Sequence, residues 1–408
     1  MTATFDALWA ELAPIGRNRT TGGYQRLSWS PADSAVRSWF AQAAAARGLD
    51  VRPDRNGNLW AWWGEPGPGA VVTGSHLDSV PEGGAFDGPL GVVGALAAVD
   101  ELRRRGVRPR RPLAVVVFVE EEGGRFGVPC LGSRLLTGAI TPERASALTD
   151  TDGTTWARAM EKAGLDPDRM GADPDLAGRI SAFLELHIEQ GRGLVHTGQP
   201  VGVASTVWPH GRWRMEFSGR ADHAGTTQLG DRHDPMLPLA HTVIAARSVA
   251  EARGAVATVG KMVAKPNCTN AVPSKARAWL DARAPDEATL RAVVDAVDAE
   301  ARRYAVEHGV FLASFQESST PVVRFEHELR DRIAAIAGGT DGPAPVLATG
   351  AGHDAGVLAA VVPTAMLFVR NPTGISHAPE EYAEPSDCHA GTAVLTNVLA
   401  DLLSEEPQ

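Results

Sequence analysis

GSHLDSVPEGGAFD, residues 74–87, closes a short apolar run, Ala70 to Thr73, with a histidine and an aspartate two positions apart and a third acidic residue across a Gly-rich turn. Two-residue spacing on an extended segment sends the side chains of His76 and Asp78 to the same face of the chain. His76 has the chemistry of a metal ligand, and Asp78 that of the partner that orients a ligating imidazole. Asp87, placed by the Gly83 to Gly88 loop, has two oxygens with which to bridge two ions. A continuous apolar run of this kind predicts a buried parallel strand, and in open α/β sheets ligands bind beyond the carboxyl ends of the strands. One stretch does not make a metal site, so the remaining ligands must come from elsewhere in the chain.

Outward from this stretch, Pro89 to Arg105 predicts a helix and Leu113 to Val119 a second fully apolar strand, together a βαβ unit. Glu120, Glu121 and Glu122 follow at once. A third strand, Ile180 to Leu186, ends at His187, and a fourth, Pro363 to Val369, leads into the loop carrying His377. Carboxylates leaving an apolar strand are costly unless a cation or a proton compensates them. Neighbouring residues point in opposite directions, so of Glu121 and Glu122 one suits a ligand and the other a general base. Glu120 leaves the register open between Glu120/Glu121 and Glu121/Glu122, and Gly123 favours the latter. So many ligands suit a pair of ions about 3.5 to 4 Å apart rather than a single zinc.

Upstream, two helices are expected before Arg47, the second capped by Ser30 with Pro31 at its first position, followed by a strand pair at Val51–Arg52 and Asn58–Trp63. Between Thr206 and about Pro321 the character changes. Strands at Arg212 to Ser218, Ala255 to Val263 and Ala276 to Ala282 alternate with helices near Pro235 to Arg253 and Asp286 to His308, which predicts an inserted α+β domain.

A chain of 408 residues exceeds the size at which one core stops growing, so two domains are expected. The net charge of −10, with no clustered basic face, argues against nucleic acid as a partner. Cys130, Cys268 and Cys388 are widely separated and in no CxxC pattern, which argues against a disulfide framework or a thiolate metal site. The N-terminal segment carries Asp6 and Glu11 where a signal peptide is apolar, and the apolar run at Leu113 to Val119 is too short to span a bilayer. A cytoplasmic protein without a membrane partner is expected.

GSHLDSV, GGAFDGPLGV, EEGGRFG, LHIEQG, ADHAGTT, NCTNAVP, AGHDA and GISHAPEE occur in this order from Gly74 to Glu381. Together they resemble the hydantoinase/carbamoylase type of dinuclear-metal amidohydrolases, which includes allantoate amidohydrolase and N-carbamoyl-L-amino acid hydrolase and is related to aminoacylases and zinc carboxypeptidases. The resemblance implies an α/β fold: an αβα-sandwich catalytic domain (residues 1–205 and 322–408) and an inserted smaller α+β domain (206–321) that closes as a lid and pairs with a second subunit in a homodimer. It implies two divalent ions per chain, zinc or manganese, with cobalt and nickel also suited. One is held by His76, Asp87 and His187, the other by Asp87, Glu122 and His377, with Glu121 as the base. His223, Asn270 and Arg283 match positions that meet substrate, and Gln190 is expected to add a polar contact.

Those residue types suit a ureido carboxylate. Arg283 offers a fixed fork of donors to the carboxylate, Asn270 can donate beside it, and His223 can stabilise a developing oxyanion. A capping or turn role is the alternative for His223. One departure is Gln228, where the family commonly has Pro after HAGTT. The reaction implied is hydrolysis of a non-peptide C–N bond in a ureido group, with release of ammonia and carbon dioxide. WPHGRWR and RPDRNGNLWAWWG favour allantoate, and N-carbamoyl-L-amino acids follow closely. An aminoacylase or dipeptidase, or a metal-free binding scaffold on the same fold, are the competing readings.

Overall fold

Four strands run parallel and side by side in the order Leu113–Phe118, Ala70–His76, Ile180–Ile188 and Thr364–Val369, in the computed structural model, which describes residues 1–406. All but one of their residues are buried, as their mostly apolar sequences require. Antiparallel strands extend the sheet on both sides: Leu59–Trp63 and Asp50–Pro53 beyond Leu113–Phe118, and Val201–Val207 beyond Thr364–Val369. Alternate residues serve opposite faces. Val115, Val117, Leu184 and Leu367 join the main core with the helices Thr2–Leu12, Pro31–Ala46, Pro89–Arg104 and Pro385–Ser404. Phe118 meets Trp60 and Phe183 edge to face on the other side. The α/β sandwich is therefore as expected, and Ser30 caps Pro31–Ala46 by accepting from the Asp33 amide at 3.2 Å.

The parallel register carries the site. His76 is paired with Phe118, Thr73 with Leu184 and Phe368 with His187, so the four strands end at one level. Two glycines permit this. A Cβ on Gly74 (φ 149°) would lie 1.9 Å from the Val116 carbonyl oxygen, and one on Gly88 (φ 85°) would lie 2.5 Å from Cε1 of His76.

The chain divides into two compact units, the one just described and a second spanning Val207–Val323. The second holds a four-stranded antiparallel sheet in the order Phe311–Thr320, His210–Ser218, Lys275–Arg283, Val256–Lys265, with helices Met236–Glu251 and Glu287–Glu307 packed over a core that includes Phe217, Leu280, Val293 and Val297. Phe311–Thr320 is the strand that the hydropathy pattern does not locate. It is an edge strand, mostly exposed, and has no alternation to read.

Gly74→Ala is expected to cost about 3 kcal/mol, because the strand must separate from its neighbour to admit the methyl group. A urea midpoint equal to that of the native chain would disprove the close approach.

Candidate metal centre

His76, Asp87 and His187 place one ligand atom each within 4.8 Å of one another, and Asp87, Glu122 and His377 do the same. Asp87 belongs to both groups. Its Oδ1 lies 3.3 Å from His76 Nε2 and 3.1 Å from His187 Nε2, and its Oδ2 lies 3.3 Å from His377 Nε2, which is also 3.3 Å from Glu122 Oε2. His76, His187 and Asp87 are buried, whereas the His377 side chain is 49% exposed.

The His76 and His187 rings are held from behind. His76 Nδ1 lies 3.0 Å from the carbonyl of Asp78 and His187 Nδ1 lies 2.9 Å from the carbonyl of Ile188. A carbonyl accepts only from N–H, so both rings carry the proton on Nδ1 and present Nε2 as a bare lone pair. Neither Nε2 has a hydrogen-bond partner. A buried lone pair of this kind is costly unless a cation takes it up. This orphaned pair, with a carboxylate shared between two groups, is the donor set that divalent ions require, so the residues present fit a pair of metal ions.

The charges point the same way. Burial, and then the Asp87 charge, push Glu122 up to about 8; burial, opposed by His76, pushes Glu121 well above the carboxylate range. Contact with Asp87 brings His377 to about 9. A dication placed among these groups would relieve the cost of ionising the glutamates.

The three glutamates after Leu113–Phe118 take different partners. Glu120, at φ 55°, sends its carboxylate to the amides of Arg125 and Phe126 at 3.0 and 2.6 Å and belongs to neither ligand group. Glu121 Oε2 lies 3.7 Å from His76 Nε2. Asp78 acts differently from expectation: its main-chain carbonyl holds His76, while its carboxylate, 3.7 Å from His76 Nδ1, accepts from the amides of Glu121 and Glu122, both at 3.2 Å. Gln190, expected to meet substrate, donates through Nε2 to Asp87 Oδ2 at 2.8 Å and to Ser376 Oγ at 3.0 Å.

Two residues went unassigned in the sequence reading. Glu381 accepts from the amides of Phe86 and Asp87 at 2.9 and 3.0 Å and so fixes the loop that carries the shared carboxylate. His353, buried, forms a third group with Glu185 and His187, and its ring lies 4.5 Å from that of His187. Both oxygens of Glu185 are already taken, by Ser75 Oγ and the Ala355 amide, so Glu185 braces the His353 loop. Their motifs, GISHAPEE and AGHDA, were the available signal.

In the Val207–Val323 unit, His223 Nδ1 accepts from the amides of Gly225 and Thr226 at 3.0 and 3.2 Å, which leaves the ring proton on Nε2. His223 does close a turn, and its outward nitrogen is a donor. Asn270 is brought beside it: Ala271 pairs with His223, and the Ala224 amide donates to the Asn270 carbonyl at 3.0 Å. Arg232 clamps this loop through the carbonyls of Ala224 and Thr227. Arg283 ends the strand Lys275–Arg283, where Asp281 engages its Nε at 3.0 Å.

Comparison with known proteins gives the family of the chain. Residues 72–401 match the model of peptidase family M20/M25/M40. The chain belongs to that family. Within M20/M25/M40 it is 34% identical, over 98% of its own length and 99% of the other's, to an N-carbamoyl-L-amino acid amidohydrolase of Geobacillus stearothermophilus. It is 33% identical to the allantoate amidohydrolase of Escherichia coli, with 93% of each chain covered. A crystal structure of a hydantoinase/carbamoylase family amidase from Burkholderia vietnamiensis superposes with a TM-score of 0.88 at 31% identity, covering 100% of this chain and 98% of that one. This M20/M25/M40 chain is thus an amidohydrolase whose relatives act on C–N bonds other than peptide bonds. No helix among the described residues is long and apolar enough to cross a membrane.

Asp78→Asn leaves one acceptor oxygen for two amides. It is expected to weaken metal binding about 10- to 100-fold with the fold retained, as read by competition with a chromophoric chelator; unchanged affinity would show that the clamp is dispensable.

Proposed function

We propose that this chain hydrolyses the ureido C–N bond of a small carboxylate, with allantoate as the preferred substrate and release of ammonia and carbon dioxide. The observation that carries the reading is the pair of ligand groups sharing Asp87 with Glu121 beside them, in a chain whose relatives act by name on allantoate and on N-carbamoyl-L-amino acids. N-carbamoyl-L-amino acids are the second reading, favoured by the 98% coverage of the Geobacillus relative.

His76, Asp87 and His187 would hold one divalent ion and Asp87, Glu122 and His377 the other, zinc or manganese by donor type, with cobalt and nickel also accommodated. Bound there, the ions supply Lewis acidity towards the ureido carbonyl and lower the pKa of water. Glu121 takes the proton from the attacking water and passes it to the departing nitrogen. The water oxygen adds to the ureido carbon, the C–N bond breaks, and the carbamic acid so formed falls apart to ammonia and carbon dioxide.

His223 donates from Nε2 to the oxygen that gains charge, a role supported by the two amides that fix its tautomer. Asn270 and Arg283 bind the substrate carboxylate. We assign the Val207–Val323 unit as the lid and as the surface that pairs two copies of the chain. Its outer strand Val256–Lys265 has a neighbour on one side only and exposes Val256, Met262 and Val263.

The decisive experiment measures ammonia release from allantoate beside several N-carbamoyl-L-amino acids after loading with zinc, manganese, cobalt or nickel; no turnover of any of them would end the ureido reading. Glu121→Gln is expected to keep its metal and lose turnover about 10²- to 10⁴-fold, whereas loss of metal would move the ligand assignment by one residue. Arg283→Lys is expected to raise KM more than it lowers kcat, since a point charge replaces a two-pronged donor.

A further inference from the structure

Glu121 has a neighbour that the proposed reaction does not use. The loop after Leu113–Phe118 turns back so that the amides of Cys130, Leu131 and Gly132 donate to the carbonyls of Glu121, Glu120 and Val119 at 2.6, 3.0 and 3.0 Å. Cys130 enters this turn at φ 54°, a left-handed conformation in which residues other than glycine are uncommon. The conformation brings its thiol to Glu121: Sγ donates to Oε1 at 3.3 Å, and both groups are buried. The other oxygen, Oε2, is the one that lies 3.7 Å from His76 Nε2.

We infer that Cys130 is a positioning residue that anchors Oε1 of Glu121 through its thiol, so that Oε2 alone is presented to the reacting water. The inference rests on the assignment of Glu121 as the base. A carboxylate with one free oxygen on each side can rotate about its last bond, and a base that rotates away from the water loses the aligned geometry on which proton transfer depends. The backbone of Glu121 is already held from both sides: its amide donates to the Asp78 carboxylate, and its carbonyl accepts from the Cys130 amide. The thiol extends that hold to the carboxylate itself. Burial raises the thiol well above its usual pKa, so it stays a donor. It is also a weak donor, which fixes direction while leaving most of the proton affinity of the carboxylate intact. Neither Cys268, which is exposed, nor Cys388, whose thiol lies in the main core, is placed to substitute for it.

The test uses the metal-loaded enzyme and whichever ureido acid it turns over fastest. Cys130→Ala is expected to lower kcat about 10- to 100-fold with KM and metal content unchanged, and Cys130→Ser, which keeps a donor at the same point, to recover most of the loss. The infrared S–H stretch of Cys130, obtained as the difference between the native chain and Cys130→Ser, is expected to move towards the free-thiol position in Glu121→Gln. Full kcat in Cys130→Ala beside an inactive Glu121→Gln overturns the positioning role alone. Equal losses in the Ala and Ser variants, or an S–H band indifferent to Glu121→Gln, overturn it as well. Full turnover in Glu121→Gln is a separate result, which removes the base on which the inference stands.

Discussion

The Asp87 carboxylate is the constraint on which the site depends. It is buried and faces three imidazoles, His76 and His187 on one oxygen and His377 on the other. No strand can deliver such a residue, because a strand end aims a side chain along one direction and this carboxylate must be approached from both sides. The Gly83 to Gly88 turn supplies it instead, and the turn is held from outside by Glu381, almost 300 residues away in sequence, through the amides of Phe86 and Asp87. Gln190 and Ser376 then hold the oxygen nearer His377.

Four of the neighbouring side chains, those of His76, His187, Glu120 and Asp78, are tied to the main chain. His76 and His187 give Nδ1 to carbonyls one or two residues onward. Glu120 gives its carboxylate to a loop, and Asp78 gives its own to the amides of the two glutamates that follow. Orientation is therefore set by backbone hydrogen bonds inside the fold and needs no ligand to establish it. Positive φ at Glu120, Cys130 and His377, uncommon for these residue types, marks where the chain bends out of regular geometry to do this.

Much of this was legible in the sequence, for a physical reason in each case. Buried parallel strands are mostly apolar, so Ala70–His76, Leu113–Phe118, Ile180–Ile188 and Thr364–Val369 announced themselves, and a charged or imidazole residue at the end of such a run stands out against it. What stayed hidden depends on contacts between distant segments. Asp78 is two residues from His76, and its spacing pointed to the imidazole. Only the fold brings the amides of Glu121 and Glu122 within reach of its carboxylate. Glu381 and Gln190 carry no local mark of the Asp87 loop they hold, and Phe311–Thr320, exposed along most of its length, has no periodicity to betray it.

This division also explains why the reaction class is easier to read than the substrate. His76, Asp87, His187 and Glu121, proposed as ligands and base, sit in buried positions where a change of residue leaves an unpaired polar group or a clash, as with the ring of His76 against Gly88, so their pattern stands out as motifs. The residues proposed to meet substrate are of another kind. Asn270 is exposed, and His223 is held by a turn of its own loop and a two-residue ribbon rather than by a packed core. Arg232 clamps that loop through the carbonyls of Ala224 and Thr227. Arg232 and the tautomer of His223 preserve the donor proposed to meet substrate, while Gln228, between them, is held by neither contact.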